Sequence, residues 1–187
     1  MIRVARLSSL VTIAVMMCGT ARAQEPGKIG ITMGYPASVG VIWDATKAIA
    51  IRPVITYAGA SSDGGGLTSQ SSNWTVGVNL SALLYVKKYD NVRTYVSPSY
   101  RYSHARTSIT PSTTIQGGVS SLDTSLNSNG GSGTFGAEYA PGSRVRIYGE
   151  VGFVFAHMTT SSSSAGALNI SGNSWGTTAG VGFVFYP

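Results

Sequence analysis

The sequence predicts an all-β fold, an eight-stranded antiparallel transmembrane β-barrel. Three observations predict it. Apolar and polar residues alternate with period two in segment after segment. Every charge inside those segments falls on the parity opposite the apolar one. The connections alternate between short and long. Successive strand side chains point to opposite faces. The pattern therefore describes a sheet with one apolar face, on which a mid-depth charge would cost roughly 2–4 kcal/mol in a bilayer.

The first residues set the compartment. Arg3 and Arg6 precede an apolar run from Leu7 to Cys18, and Ala21-Arg22-Ala23 reads as a small-residue cleavage site. Residues 1–23 are expected to be a secretory signal peptide, removed on export through the Sec translocon, and 24–187 the barrel domain. The run is too short for a spanning helix, which needs ~20 residues. The single cysteine, Cys18, lies in the signal, and Val15-Met16-Met17 before it is a poor lipobox. The mature chain would have no disulfide and no thiolate chemistry. Three of the 13 Lys and Arg leave with the signal, so ten basic side chains face seven acidic ones. No basic cluster exceeds Lys87-Lys88, which argues against nucleic acid as a partner. No later apolar run approaches a spanning helix, and an exported chain that crosses a membrane without helices does so as a closed barrel.

Taken in order, Ile29–Trp43 keeps one parity throughout, with Ile29, Ile31, Met33, Tyr35, Val39, Val41 and Trp43 on it. It reads either as one strand or as a hairpin turning at Pro36-Ala37-Ser38, because a three-residue loop preserves parity. The first reading gives seven strands and the second eight; even counts in bacterial barrels favour eight. In Ala48–Tyr57, Ile49, Ile51, Pro53, Ile55 and Tyr57 face out and Arg52, Val54 and Thr56 in. In Trp74–Val86, Trp74, Val76, Val78, Leu80, Ala82, Leu84 and Val86 oppose Thr75, Gly77, Asn79, Ser81, Leu83 and Tyr85. In Val92–Tyr102, Val96, Pro98, Tyr100 and Tyr102 oppose Arg93, Tyr95, Ser97, Ser99 and Arg101. Thr134–Tyr139 sets Phe135, Ala137 and Tyr139 against Gly136 and Glu138. Val145–Phe155 sets Ile147, Val151, Phe153 and Phe155 against Arg146, Tyr148 and Glu150. The last strand, Trp175–Tyr186, carries Trp175, Val181, Phe183 and Phe185 outward against Gly176, Gly180 and Gly182. Pro53 and Pro98 remove ladder donors, so bulges or strand ends are expected there.

The short connections are Asp44–Lys47, Lys87–Asn91 and Ala140–Ser143. The long ones, Ala60–Asn73, Thr107–Gly130 and Thr159–Asn173, are rich in Ser, Thr and Gly. Short periplasmic turns and long external loops are the asymmetry of outer-membrane barrels. Candidate aromatic girdle residues are Tyr57, Trp74, Tyr102 and Trp175 on the loop side. On the turn side they are Trp43, Tyr139 and Phe185.

The signal peptide, the strand spacing, the loop asymmetry and the closing Val181-Gly182-Phe183-Val184-Phe185-Tyr186 resemble small outer-membrane β-barrel proteins of the OmpX and OmpA-barrel type. The resemblance implies partners: outer-membrane lipids and the barrel-assembly machinery, which would read Phe185 and Tyr186 as a terminal signal. This chain departs from that pattern by ending on Pro187. A monomer is expected.

An eight-stranded barrel has an interior just filled by its own side chains. The expected lumen network is Arg52, Asn79, Arg93, Tyr95, Arg101, Glu138, Arg146, Tyr148 and Glu150. As a packed core of ion pairs it would block diffusion; as an ion path it would make a narrow pore. An enzymatic alternative resembles the lipid A deacylases. His157-Met158-Thr159 places a hydroxyl two residues from a histidine on one face, but no Asp or Glu follows Glu150 to orient it. Two histidines and no mature cysteine make no zinc set. Asp63 and Asp123 lack calcium-loop spacing, so no cofactor or metal is expected. The expected function is a non-enzymatic outer-membrane protein displaying polar loops, in adhesion, surface protection or envelope integrity.

Overall fold

The computed structural model describes residues 26–62, 70–110, 122–162 and 169–187. These hold eight strands and, among the described residues, no helix: β1 (Ile29–Tyr35), β2 (Ser38–Trp43), β3 (Ile49–Ser62), β4 (Gln70–Tyr89), β5 (Val92–Thr110), β6 (Leu122–Tyr139), β7 (Val145–Ser162) and β8 (Asn169–Phe185). They pair in chain order and β8 closes on β1, forming an antiparallel barrel. The signal segment, Cys18 and Asp63 lie outside the described residues.

Of the two readings of Ile29–Trp43, the structure takes the hairpin. Ile31 pairs with Val41 and Gly34 with Ser38. Odd residues thus face odd residues across the turn, which is why a single strand and a hairpin give the same pattern.

The alternation becomes a physical belt. Ile55, Val78, Leu80, Phe135, Val151, Phe153, Val181 and Phe183 all stand exposed on the outer wall. On β8, Trp175 and Phe185 bracket this belt. Their separation is roughly 23 Å along the barrel axis at ~3.3 Å rise and ~45° tilt, close to the ~25 Å apolar band of such barrels. Trp43, Tyr139 and Phe185 lie at the turn end of the outer face, and Tyr57, Trp74, Tyr102 and Trp175 at the loop end. The Trp74 ring packs on His104 with centroids 5.3 Å apart.

Two expectations need correction. The long connections are largely strand: Ser61 pairs with Ser72, Thr107 with Thr124, and Ser161 with Asn169. Beyond the girdle both faces of the wall are polar, so no alternation marks these stretches as strand. The wall therefore stands roughly 10–20 Å above the belt at ~3.3 Å rise and ~45° tilt. The prolines, too, make neither bulges nor strand ends. Pro53 lies opposite Leu80, and Pro98 opposite Gly133. On the other side of each, the ladder skips: β2–β3 pairing jumps from Gly40–Val54 to Trp43–Ile51, and β4–β5 from Ser81–Ser99 to Leu84–Val96. The missing donor interrupts pairing without shifting register. The irregularity that does shift register falls between Tyr85 and Lys87.

The short turns are locally encoded. Thr46 Oγ1 accepts from the backbone N–H groups of Ala48 (3.1 Å) and Ile49 (3.0 Å), closing the β2–β3 turn. Asp90 takes φ 45° in the β4–β5 turn, a conformation Asp tolerates better than most residues.

Candidate functional site: the barrel lumen

The inward faces of β3 to β8 bring charge into the lumen at the turn end, and each charge finds a partner of two kinds. Tyr186 OH donates to Asp44 Oδ2 (2.9 Å), and Arg146 Nη1 donates to Tyr186 OH (2.9 Å). Arg146 also reaches Glu138 Oε1 (3.2 Å) and lies 3.7 Å from Asp44 Oδ2. Glu138 accepts from Arg93 through both Nε (2.7 Å) and Nη2, and from Tyr85 OH (3.2 Å). One level higher, Arg52 Nη2 donates to both oxygens of Glu150 (2.9 and 2.7 Å), and Tyr95 OH donates to Glu150 Oε2 (3.2 Å).

A rule runs through this cluster. Each carboxylate accepts from one phenol and forms an ion pair with at least one guanidinium. Each of these guanidiniums lies over a tyrosine ring: Arg52 on Tyr148 (4.7 Å), Arg93 on Tyr85 (3.8 Å) and Arg146 on Tyr186 (4.5 Å). Burying charge is costly unless ion pairs and hydrogen bonds replace water, and cation–π contact adds to both. Glycines make the room. A Cβ on Gly136 would lie 2.4 Å from Tyr95 Cζ, and one on Gly182 would lie 2.5 Å from Tyr148 OH. Ile42, Leu83 and Val184 pack among the rings. The arrangement is a plug: a largely buried, paired cluster across the turn-side half of the lumen.

Two expected network members stand apart from it. Asn79 donates only to Ser81 Oγ (3.2 Å), and its Oδ1 is buried without a partner. Arg101 has no hydrogen bond or ion pair with any described residue. Both line a cavity of about 410 Å³ above the plug, floored by Arg52 and Glu150 and walled by Ser99, Ser132 and Thr134. The interior is thus not filled throughout: the turn-side half is packed and the loop-side half is an open cup.

Asp44 and Tyr186 join the cluster from outside the expected set. Asp44, fully buried, belongs by sequence to a turn, and Tyr186 to a terminal signal. Parity could have found both. Asp44 shares the inward parity of Ile42, and Tyr186 that of Gly182 and Val184.

On the outer face, His157 Nδ1 lies 2.8 Å from Asn173 Oδ1, and His104 Nδ1 lies 2.7 Å from Asn127 Oδ1. The two histidines repeat one cross-strand motif near the loop-side girdle. Thr159 makes no hydrogen bond to His157, and the group that orients the ring is an amide. At the external rim Arg106 pairs with Asp123 (2.8 Å), and Ser108 Oγ donates to the same carboxylate (2.5 Å). The Ser108 and Arg106 hydrogen bonds hold the Asp123 carboxyl below the usual carboxylate range.

No family model and no curated protein matches the sequence. Among solved structures, the chain is similar to a major outer membrane protein from Thermus thermophilus, at 12% identity over 84% of this chain and 98% of that one, with a TM-score of 0.54. It is also similar to CarO and CarO2 from Acinetobacter baumannii. Their identities are 12% and 13%, over 89% and 87% of this chain and 100% and 98% of theirs, with TM-scores of 0.46 and 0.45. The Thermus likeness shows the fold, an outer-membrane-type β-barrel.

Proposed function

We propose that this chain is an outer-membrane protein, exported by a cleaved signal peptide, whose closed barrel anchors a polar wall and its loops at the cell surface without catalysis. The observation that carries this is the plug. Arg52–Glu150, Arg93–Glu138 and Arg146–Asp44 fill the turn-side lumen with side chains 18% exposed or less. A solute would have to break several buried, charge-assisted contacts to pass. What remains for such a barrel is what it holds outside: strand extensions rich in Ser, Thr and Asn, carried above the lipid on a rigid scaffold. Roles in adhesion, surface protection or envelope integrity suit that build. Assembly would use Phe185, which faces outward at the turn-side end of β8, whereas the Tyr186 ring belongs to the plug. Planar-bilayer recordings of the refolded mature chain test the reading. Silence, or brief small events, is expected. A steady, large open conductance would overturn it in favour of a pore.

A further inference from the structure

The barrel wall has a notch. β1 and β2 hold 7 and 6 residues, whereas their outer neighbours β8 and β3 hold 17 and 14. Pairing of β8 with β1 ends at Val181–Tyr35, and pairing of β3 with β2 ends at Thr56–Ser38. Above those points, among the described residues, β8 pairs with β7 and β3 with β4, and the two do not pair with each other. Trp175, at the loop-side girdle, stands six residues above Val181 on β8. The top of the β1–β2 hairpin therefore lies roughly 14 Å below that girdle at ~3.3 Å rise and ~45° tilt. The notch opens at the depth of the outer hydrocarbon layer. A strand edge facing lipid leaves N–H and C=O groups unmet, so such an edge persists only where it borders a water-filled or occupied cavity.

That cavity lies directly behind it. Residues from all three sides of the notch line it together with the inward Arg52 and Arg101: Pro36 at the top of the hairpin, Ala58 on β3 and Thr178 on β8. The cavity thus reaches the notch. Its two ends differ in chemistry. Inside, among the described residues, the lumen holds four arginines against three acids, and the unmatched one is Arg101. Asn79 lies opposite it on β4 and Arg52 on the cavity floor; among the described residues Asn79 Oδ1, an acceptor, and Arg52 Nε, a donor, are buried without partners. Outside, the notch is edged by Tyr57, Ala179 and Val181 and meets the apolar belt. Its volume, about 410 Å³, falls in the ~300–1,000 Å³ range of ligand pockets.

We propose that the cup and notch form a binding site for a single-chain amphiphile with an anionic headgroup: the headgroup on Arg101 inside the lumen, the chain leaving through the notch into the outer leaflet. This goes beyond the anchor role but rests on the membrane-barrel reading. Failure of that reading would show separately, as loss of the heat-modifiable gel shift of a folded barrel.

The test uses the mature chain in phosphatidylcholine nanodiscs with radiolabelled palmitate. Acetate serves as a head without a tail, and hexadecanol as a tail without a charge. Palmitate should bind saturably at one per chain, with acetate and hexadecanol each at least tenfold weaker. Arg101→Gln should weaken palmitate about tenfold, the scale of one lost charge-assisted contact. Arg101→Lys should stay within a few fold of wild type. Ala58→Phe, which narrows the cup at the β3 edge, should weaken palmitate without altering the gel shift. Equal binding of hexadecanol would overturn the role of Arg101. Equal binding of acetate would overturn the passage through the notch. Absence of palmitate binding, or a Thr177→Cys variant that crosslinks efficiently to a second copy across the notch, would overturn the site altogether.

Discussion

Glu138→Ala is the sharpest probe of the plug. The Glu138 carboxylate is 3% exposed and accepts from Arg93, Arg146 and Tyr85. Without it, two guanidiniums share Asp44, whose Oδ2 is 3.7 Å from Arg146 and already accepts from Tyr186. Removing one member of a buried pair costs ~3–5 kcal/mol, because the remaining charge is stranded. Two charges are stranded here, but Arg93 retains 13% side-chain exposure and can draw some water. The expected loss is about 4 kcal/mol. Urea-titrated folding into phosphatidylcholine vesicles, read by gel shift, measures it. Arg93→Met in the same chain removes one stranded cation, so the double variant should be more stable than the sum of the singles by ~1–3 kcal/mol. A loss under ~1 kcal/mol, as an exposed ion pair gives, or strict additivity would refute the buried network.

Other expectations follow from the wall and the rim. Val181→Arg, on the outer face near mid-belt, should cost ~2–4 kcal/mol in vesicle folding, and little if that face meets water. Gly152→Ala should cost ~1–3 kcal/mol in the same assay, the usual range for overpacking. Its Cβ would fall 2.1 Å from the Gly133 carbonyl and 2.6 Å from Thr134 Cα, backbone that cannot swing aside. Gly133→Ala, whose Cβ meets nothing within 4 Å, should be close to neutral. Asp123, with its pKa lowered by Ser108 and Arg106, contributes stability that is present above the ordinary carboxylate pKa. That contribution is lost as pH falls through the lowered value. An NMR titration should show the Asp123 midpoint rising in Ser108→Ala.

The belt was legible because lipid demands apolar residues on one parity, and in Trp74–Val86 and Val145–Phe155 no charge falls on that parity. The hairpin at Tyr35–Ser38 was legible from the even strand count but not from parity, because its register pairs like parity with like. The strand extensions at Gly59–Ser62, Ser103–Thr110 and Leu122–Gly130 were not legible, because above the belt both faces are polar and alternation disappears. In the lumen, parity gave the inward arginines and glutamates, but not which carboxylate meets which guanidinium. That depends on the stagger between strands: Arg52 on β3 reaches Glu150 on β7 across the interior, not along any sheet pair. The same stagger leaves Arg101 above the plug, where the sequence placed it within the network. Asp44 and Tyr186 were visible by parity, but each sits just past a strand end, where the alternation is no longer expected to hold.

As proposed, the exposed apolar belt between the aromatic girdles faces lipid in the outer membrane. Fractionation with heat-modifiable migration tests it most directly. The mature chain should pellet with outer membranes, and its unboiled form should migrate apart from the boiled one as a folded barrel. Recovery in the detergent-free soluble fraction, with no shift on boiling, would contradict it.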